Sequence, residues 1–493
     1  MAGFIQYQTK NDIEYAFYCV AKRIDGKKVN EVKNLGRVID KEQNIFQNRQ
    51  QGKFIFSPEN GVTELPNAVE TGIYDFGNAF VLNSVLYGCG YMQLLEETFS
   101  KDFATLATLV FYRILQGGAN SGVLDWYDGS WAKSLFPDAR LSSQRLSDFI
   151  KRLGDENLAQ TFFRKYLGFA NCSNAVLIDS TGLPNAIDMP VTAVSSHAGQ
   201  VNNEARFILV HDRETNLPLY YRYIAGNIVD VSTLTATLKE MSAFNVKVDY
   251  ALLDAGYCSR DNITELFSEK ISFITRLGSN RKLYTDLIDQ HLISLKNITY
   301  LVKYRERLVY IMRVNIDLYG YAGYAYIAID EERHNTEFKK YMLEELVAAE
   351  KTPDEMDKDT RMFGTFILVS SEKLETKDVL PIYYKRQAIE QMFDVSKNCA
   401  DILPLRVHNE SAFRGHLLIS FIAMVACQLA DRHLADTKFS LQAAMNLLRN
   451  LKVKVFPNAA IVQEPTKRVK EVAKLMNVEM PKSAVCGQKK TGN

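Results

Sequence analysis

The period of apolar and polar positions changes several times along the chain. Over residues 1–70, short apolar runs (Phe4-Ile5-Gln6-Tyr7, Ala16 to Val20) alternate with turn signals such as Asp25-Gly26, which predicts a small β-rich unit. Over 71–170 the repeat becomes helical, at Phe80 to Leu95, Ala104 to Leu115 and Arg145 to Leu153. Loops are expected at Gly117-Gly118 and Phe136-Pro137-Asp138. Residues 171–277 read as β-β-β-α-β-α-β. The strands are Ala175 to Asp179, Ala205 to Val210, Leu217 to Ile224, Tyr250 to Asp254 and Ile271 to Thr275; the helices are Val231 to Phe244 and Asp261 to Glu269. Residues 278–362 read as a β-rich insertion (Ile298 to Tyr304, Arg307 to Val314, Gly323 to Ile329) with an acidic end from Glu344 to Asp359. Residues 363–436 hold a strand at Thr365 to Val369, a helix from Leu380 to about Lys397, and an apolar helix around Leu417. The fold class is α/β.

Composition changes this picture little. The chain has 493 residues, 47% hydrophobic and 24% charged, with a net charge of +1, as for a folded protein of several domains. The N-terminus lacks an apolar signal run, and the stretch Leu417 to Ala430 is short for a bilayer, so no membrane partner is expected. Seven cysteines without a C-x-x-C pair fit a reducing, cytoplasmic setting. The seven histidines are too dispersed for a metal pattern, and Trp126 and Trp131 suit core packing better than base stacking. Charge is uneven: the segment 437–493 carries eleven Lys and Arg against three Glu, suited either to phosphate contact or to a solvated tail. Leu141 to Arg152 also has two readings: a DNA-reading helix led by Ser and Gln, or an amphipathic helix burying Leu146, Phe149 and Ile150.

Two features carry candidate chemistry. The runs Val176-Leu177-Ile178-Asp179 and Ala251-Leu252-Leu253-Asp254 are continuously apolar strands ending in Asp. Were they parallel neighbours, both carboxylates would emerge at adjacent strand ends, where open sheets place their sites. Each Asp alone could equally cap the following turn. The second feature is Tyr383-x2-Arg386-x3-Glu390-x6-Lys397. At about 100° per residue, these four fall within roughly 60° on one helix face, beside an apolar stripe of Ile382, Ile389 and Phe393. A carboxylate flanked by Arg, Lys and a phenol suits a metal ligand beside a phosphate backbone. A helix laced with surface salt bridges is the plainer reading of such a face.

Together these features resemble the DDE transposases of bacterial insertion sequences, of the family-four type with a Y-x2-R-x3-E-x6-K signature. The resemblance includes the Asp-Ser-Thr-Gly and Asp-Ala-Gly-Tyr contexts of Asp179 and Asp254, and spans about 174 to 430. It implies a ribonuclease H-like mixed sheet flanked by helices, interrupted by the β-rich insertion. It also implies that Asp179, Asp254 and Glu390 are the catalytic carboxylates and hold two Mg²⁺ ions, for which Mn²⁺ can substitute. Tyr383, Arg386 and Lys397 would bind DNA. The expected activity is cleavage at transposon ends and strand transfer into target DNA, by a cut-and-paste route with hairpin ends as one option. A homodimer, double-stranded DNA as partner and a nucleoid-associated cytoplasmic location go with it. The helical block 71–170 is a candidate for end binding, and 437–493 for dimerisation or DNA contact. A ribonuclease H-like nuclease without strand transfer and a non-catalytic DNA-binding protein are the alternatives.

Overall fold

The computed structural model describes residues 3–484 except 11–12, 25–26, 42, 59–60, 65–71, 186–188, 190, 196–201, 228–232, 349–350, 399, 401, 404, 406, 408, 436, 457–458 and 482. The chain divides into two compact units: residues 1–73 with 453–462 and 482–493, and residues 74–452 with 463–481.

The first unit begins with six strands paired in sequence order and antiparallel throughout: β1 (Phe4–Lys10), β2 (Ile13–Ile24), β3 (Lys27–Asp40), β4 (Ile45–Asn48), β5 (Gly52–Ser57) and β6 (Gly61–Glu64). Its apolar face buries Ala16, Leu35, Phe46, Phe54 and Phe56. Gly36 is required: its φ is +91°, and a Cβ there would lie 2.1 Å from the Gln47 carbonyl oxygen.

A short strand β7 (Gly72–Asp75) leads into the helices of the second unit. These are α1 (Gly77–Gly88), α2 (Tyr91–Phe99), α3 (Phe103–Leu115), α4 (Val123–Asp128), α5 (Ala132–Leu135), α6 (Ser143–Leu153) and α7 (Glu156–Ala170). They gather around α15 (Glu410–Asp431), a core helix whose residues Leu417 to Cys427 are all buried. By length and composition the stretch Glu410–Leu434 could cross a membrane, but 89% of its apolar window is buried within the protein, which accounts for its hydropathy. Helix α6 buries Leu146, Phe149, Ile150 and Leu153, as the amphipathic reading of that segment requires. It lies so close to α15 that a Cβ on Gly415 would sit 1.9 Å from the Ile150 carbonyl oxygen, which explains a glycine within an otherwise bulky helix.

The remaining strands form one large sheet: β8 (Ala175–Pro184), β9 (Ala193–Ser195), β10 (Asn202–Asp212), β11 (Pro218–Ala225), β12 (Tyr250–Leu253), β13 (Ser272–Leu277), β14 (Leu301–Tyr304), β15 (Arg307–Leu318), β16 (Tyr321–Asp330) and β17 (Thr365–Ser370). Their spatial order is β11-β10-β8-β12-β13-β17-β16-β15-β14, with β9 paired to β10. Strands β8, β10 and β11 meander antiparallel, whereas β12 and β13 run parallel to β8, the arrangement expected of a ribonuclease H-like core. Helices α8 (Leu234–Ala243) and α9 (Arg260–Ser268) make the crossovers that parallel pairing demands.

The strands between 298 and 330 extend this same sheet, through β17 at the edge of β13. Residues 278–362 also hold three helices that alternation did not indicate: α10 (Lys282–Leu295), α11 (Glu331–Ala348) and α12 (Pro353–Thr360). The acidic stretch is thus partly helical, and α12 starts on a capping box between Thr352 and Glu355 with Pro353 at the first turn. The chain continues through α13 (Thr376–Tyr384), α14 (Gln387–Asn398) and α15 to α16 (Leu441–Arg449). The hairpin β18 (Lys452–Phe456) and β19 (Ala459–Val462), helix α17 (Lys467–Leu475) and strand β20 (Ser483–Ala484) complete it.

Candidate active site

Parallel pairing sets Ile178 of β8 beside Leu253 of β12, so Asp179 and Asp254 are the next residues in register on neighbouring strands. The apolar runs before them are buried on both faces, which anchors the two backbones. Asp254 ends its strand; its carbonyl accepts from the buried Thr275 hydroxyl (2.9 Å) on β13 and from the Tyr257 amide (3.1 Å). Its side chain makes no capping bond to the turn that follows, so turn-capping does not account for it. Asp179 has one carboxylate oxygen on the Ser180 amide (2.8 Å), which leaves Oδ2 turned elsewhere. Asp212, another aspartate of this sheet, pairs with Val176 near the start of β8 and is held by Ser173 and Thr215; it takes no part here.

The segment 380–397 is not the single helix expected. At Lys385 and Arg386 the backbone bonds shorten to i−3 partners (Lys385 N–H to Ile382, 3.3 Å; Arg386 N–H to Tyr383, 3.0 Å), and this turn separates α13 from α14. Tyr383 therefore belongs to the earlier helix and is buried, while Glu390 on α14 is 55% exposed. The expected stripe survives in Arg386 and Glu390, one turn apart, with Ile389 and Phe393 buried beside them. Lys397 lies in α14, but its side chain falls outside the described residues.

Arg386 is where the elements meet. Its Nη1 donates to Asp179 Oδ2 at 2.8 Å and stands 3.4 Å from Asp254 Oδ1; its Nη2 donates to Glu390 Oε1 at 2.8 Å. One guanidinium thus joins two neighbouring strands and a helix; Asp254 follows the end of β12, whereas β8 runs on past Asp179 to Pro184, beyond the expected strand end. Burial opposes its charge, but the surrounding Asp179, Tyr383, Asp254 and Glu390 outweigh that and raise its pKa. Burial also pushes the Tyr383 phenol up to about 12, so it stays a neutral donor. Among the described residues, no three acidic, His or Cys side chains stand together as a ready metal group, because the carboxylates are spaced around the arginine instead. The donor set nonetheless fits a hard divalent ion: three carboxylate groups, already converging on one positive charge.

Sequence reasoning placed Arg386 beside phosphates and missed that it reaches the carboxylates. It also missed Thr275, whose only signal was its place at the end of the expected strand Ile271 to Thr275. A further surround is the β14–β15 turn, where Tyr304 stacks on Tyr384 (5.2 Å) and the Arg307 guanidinium reaches the Tyr384 hydroxyl (3.3 Å). Cys258, close to Asp254 in sequence, is buried packing; burial pushes its thiol up to about 11.

Carboxylates on two neighbouring parallel strands with a third from a helix suit a hard divalent ion beside a phosphodiester. Residues 172–426, more than half of the chain, match the family described as the transposase DDE domain, and the chain belongs to that family. It is a DDE transposase, an enzyme of DNA transposition, and its family depends on divalent metal ions. Among solved structures, it is similar to a piggyBac transposase in a synaptic complex with hairpin DNA. That likeness has 9% identity and a TM-score of 0.39, over 72% of this chain and 70% of the other, too slight to assign anything here. No curated protein sequence matches the chain.

Proposed function

We propose that Asp179, Asp254 and Glu390 are the catalytic carboxylates of this transposase and together hold two Mg²⁺ ions, with Mn²⁺ able to substitute. The observation that carries this reading is the convergence of all three on one cation, Arg386, within 3.4 Å. Bound there, the ions would supply an activated attacking oxygen and charge stabilisation for the leaving oxygen of an in-line displacement. The chain's own residues then divide the work. Asp179 and Asp254 are fixed by strands and set the position of the scissile phosphate. Glu390 comes from a half-exposed helix, so it closes the site from the solvent side. Tyr383, Arg386 and Lys397 orient phosphates, the phenol as a neutral donor and Arg386 as a planar fork.

On this reading the enzyme is of the family-four insertion-sequence type, with cut-and-paste as its route and hairpin ends as one option. It would act as a homodimer in a bacterial cytoplasm, near the nucleoid. Helix α17, with Lys467, Arg468, Lys470 and Lys474, is a candidate DNA contact within the basic C-terminal segment. The decisive test is Glu390→Gln, assayed on duplexes carrying the element's ends. End binding should persist, and Mg²⁺-dependent nicking should fall by at least about a thousandfold, equivalent to roughly 4 kcal/mol of barrier. Nicking at the wild-type rate would remove Glu390 from the site. Joining of pre-cut ends to a second duplex distinguishes transposition from simple nuclease action.

A further inference from the structure

We propose that Arg386 is the resident counter-cation of the carboxylate triad, and that a divalent metal must displace it onto a DNA phosphate. This rests on the reading of Asp179, Asp254 and Glu390 as the metal site. The guanidinium engages Asp179 Oδ2, Asp254 Oδ1 and Glu390 Oε1, the same kind of oxygen lone pair that a hard divalent ion requires. A divalent ion drawn to the same oxygens competes with the guanidinium, since two cations so close repel in a partly dehydrated place. The arginine is also built to leave. It sits in the two-residue turn between α13 and α14, not within either helix; Asp179 (13%) is sheltered, but its other partners Asp254 (40%) and Glu390 (55%) are open to solvent.

Without metal, Arg386 offsets the repulsion among three carboxylates and keeps β8, the end of β12 and α14 in one arrangement. When metal enters, the freed fork stays within a side chain's reach of the cluster, where a scissile phosphate would lie, and a phosphate accepts it in bidentate fashion. Metal and DNA then assist one another, because DNA binds the arginine that the metal expels. Such coupling is reciprocal by thermodynamic necessity.

Mn²⁺ binding to the full chain, followed by calorimetry and by electron paramagnetic resonance without any turnover, tests this. Arg386→Gln should bind Mn²⁺ more tightly than wild type by at least about fivefold, the lower end of typical coupling between sites. Adding a mixed-sequence duplex should tighten Mn²⁺ binding to wild type and leave Arg386→Gln unchanged. Arg386→Lys keeps a charge without the fork and should fall between, which preserves the test if the glutamine variant folds poorly. Equal or weaker Mn²⁺ binding by both variants would overturn the proposal. The same titration on Asp254→Asn and Glu390→Gln separates the two readings. If these lose Mn²⁺ while Arg386→Gln gains nothing, displacement alone is wrong; if they bind it unchanged, the metal site itself is wrong.

Discussion

Arg386 and Arg113 both lie largely out of solvent in the larger unit, and their surroundings differ in kind. Arg386 meets three carboxylates at a cluster that opens outward. Arg113, on α3 and 3% exposed, meets neutral acceptors on the core helix α15: the Ser420 hydroxyl at 2.5 Å, the His416 carbonyl at 3.3 Å and His416 Nδ1 at 3.0 Å. Since arginine can only donate, Nδ1 must accept, which leaves the Nε2 proton for the Ile402 carbonyl at 2.9 Å. Each partner of Arg113 thus has one fixed role, and nothing there invites another cation. Around Arg386, negative charge exceeds what one guanidinium can balance. A cation surrounded by aligned dipoles locks packing; a cation surrounded by excess carboxylate holds a place that other cations can take.

Replacing each arginine exposes that contrast most strongly. Arg113→Met should destabilise the fold by about 3 kcal/mol, because it strands the Ser420 and His416 acceptors in the core. Arg386→Gln in chelator should cost less, about 1–2 kcal/mol, because Asp254 and Glu390 are partly exposed although Asp179 is not. Urea denaturation of both variants without metal measures the difference. Equal losses would mean that Arg386 is a packing residue like Arg113.

Proton concentration offers a milder way to open the closed cluster. Burial, with the nearby Arg113 charge, lowers the His416 pKa from its usual range to about 3. The unfolded chain therefore binds a proton near pH 6.5 that the folded chain refuses. Stability from this source is complete above pH 6.5 and falls as pH drops toward 3, by about 2 kcal/mol at pH 5. His211, lowered to about 4 by burial, adds in the same direction. His416→Gln removes one titrating group and should make the melting temperature less sensitive between pH 7.5 and 5. An unchanged slope would show that His416 does not stay neutral in the folded protein.

Much of this was legible in sequence, and for stated reasons. Continuous apolar runs ending at Asp179 and Asp254 indicated buried parallel strands, and those strands are neighbours because the meander-then-crossover order leaves β12 no other place beside β8. Arg386, in the turn before α14, and Glu390, on its first turn, point the same way because they are four residues apart. Periodicity did not reveal the turn at Lys385-Arg386: no glycine marks it, and Pro381, the nearest breaker, lies inside α13. Helices α11 and α12 are mostly charged and carry little apolar period, and α10 fell in the irregular stretch before the expected strands, although the Thr352-Pro353-Asp354-Glu355 start of α12 carried a capping signal. Sequence also gave no means of telling which residue stands opposite a carboxylate across three elements, so Arg386 was legible as a cation but not as the centre of the cluster.

The smallest expected effect concerns how firmly the open cluster is held. Thr275 is fully buried on β13, and its hydroxyl is one of two donors to the Asp254 carbonyl. Thr275→Val keeps the shape and the strand preference but deletes that donor, while the Tyr257 amide still satisfies the carbonyl. The loss in stability should therefore be about 1 kcal/mol, that of a single hydrogen bond, without an orphaned acceptor. Metal binding should weaken more than this alone suggests, by roughly tenfold, because groups behind a ligand set its orientation. A fall in stability with unchanged Mn²⁺ affinity would show that parallel pairing of β12 with β8 is sufficient to aim Asp254. In that case the geometry of the cluster rests on the strands and on Arg386, with no contribution from β13.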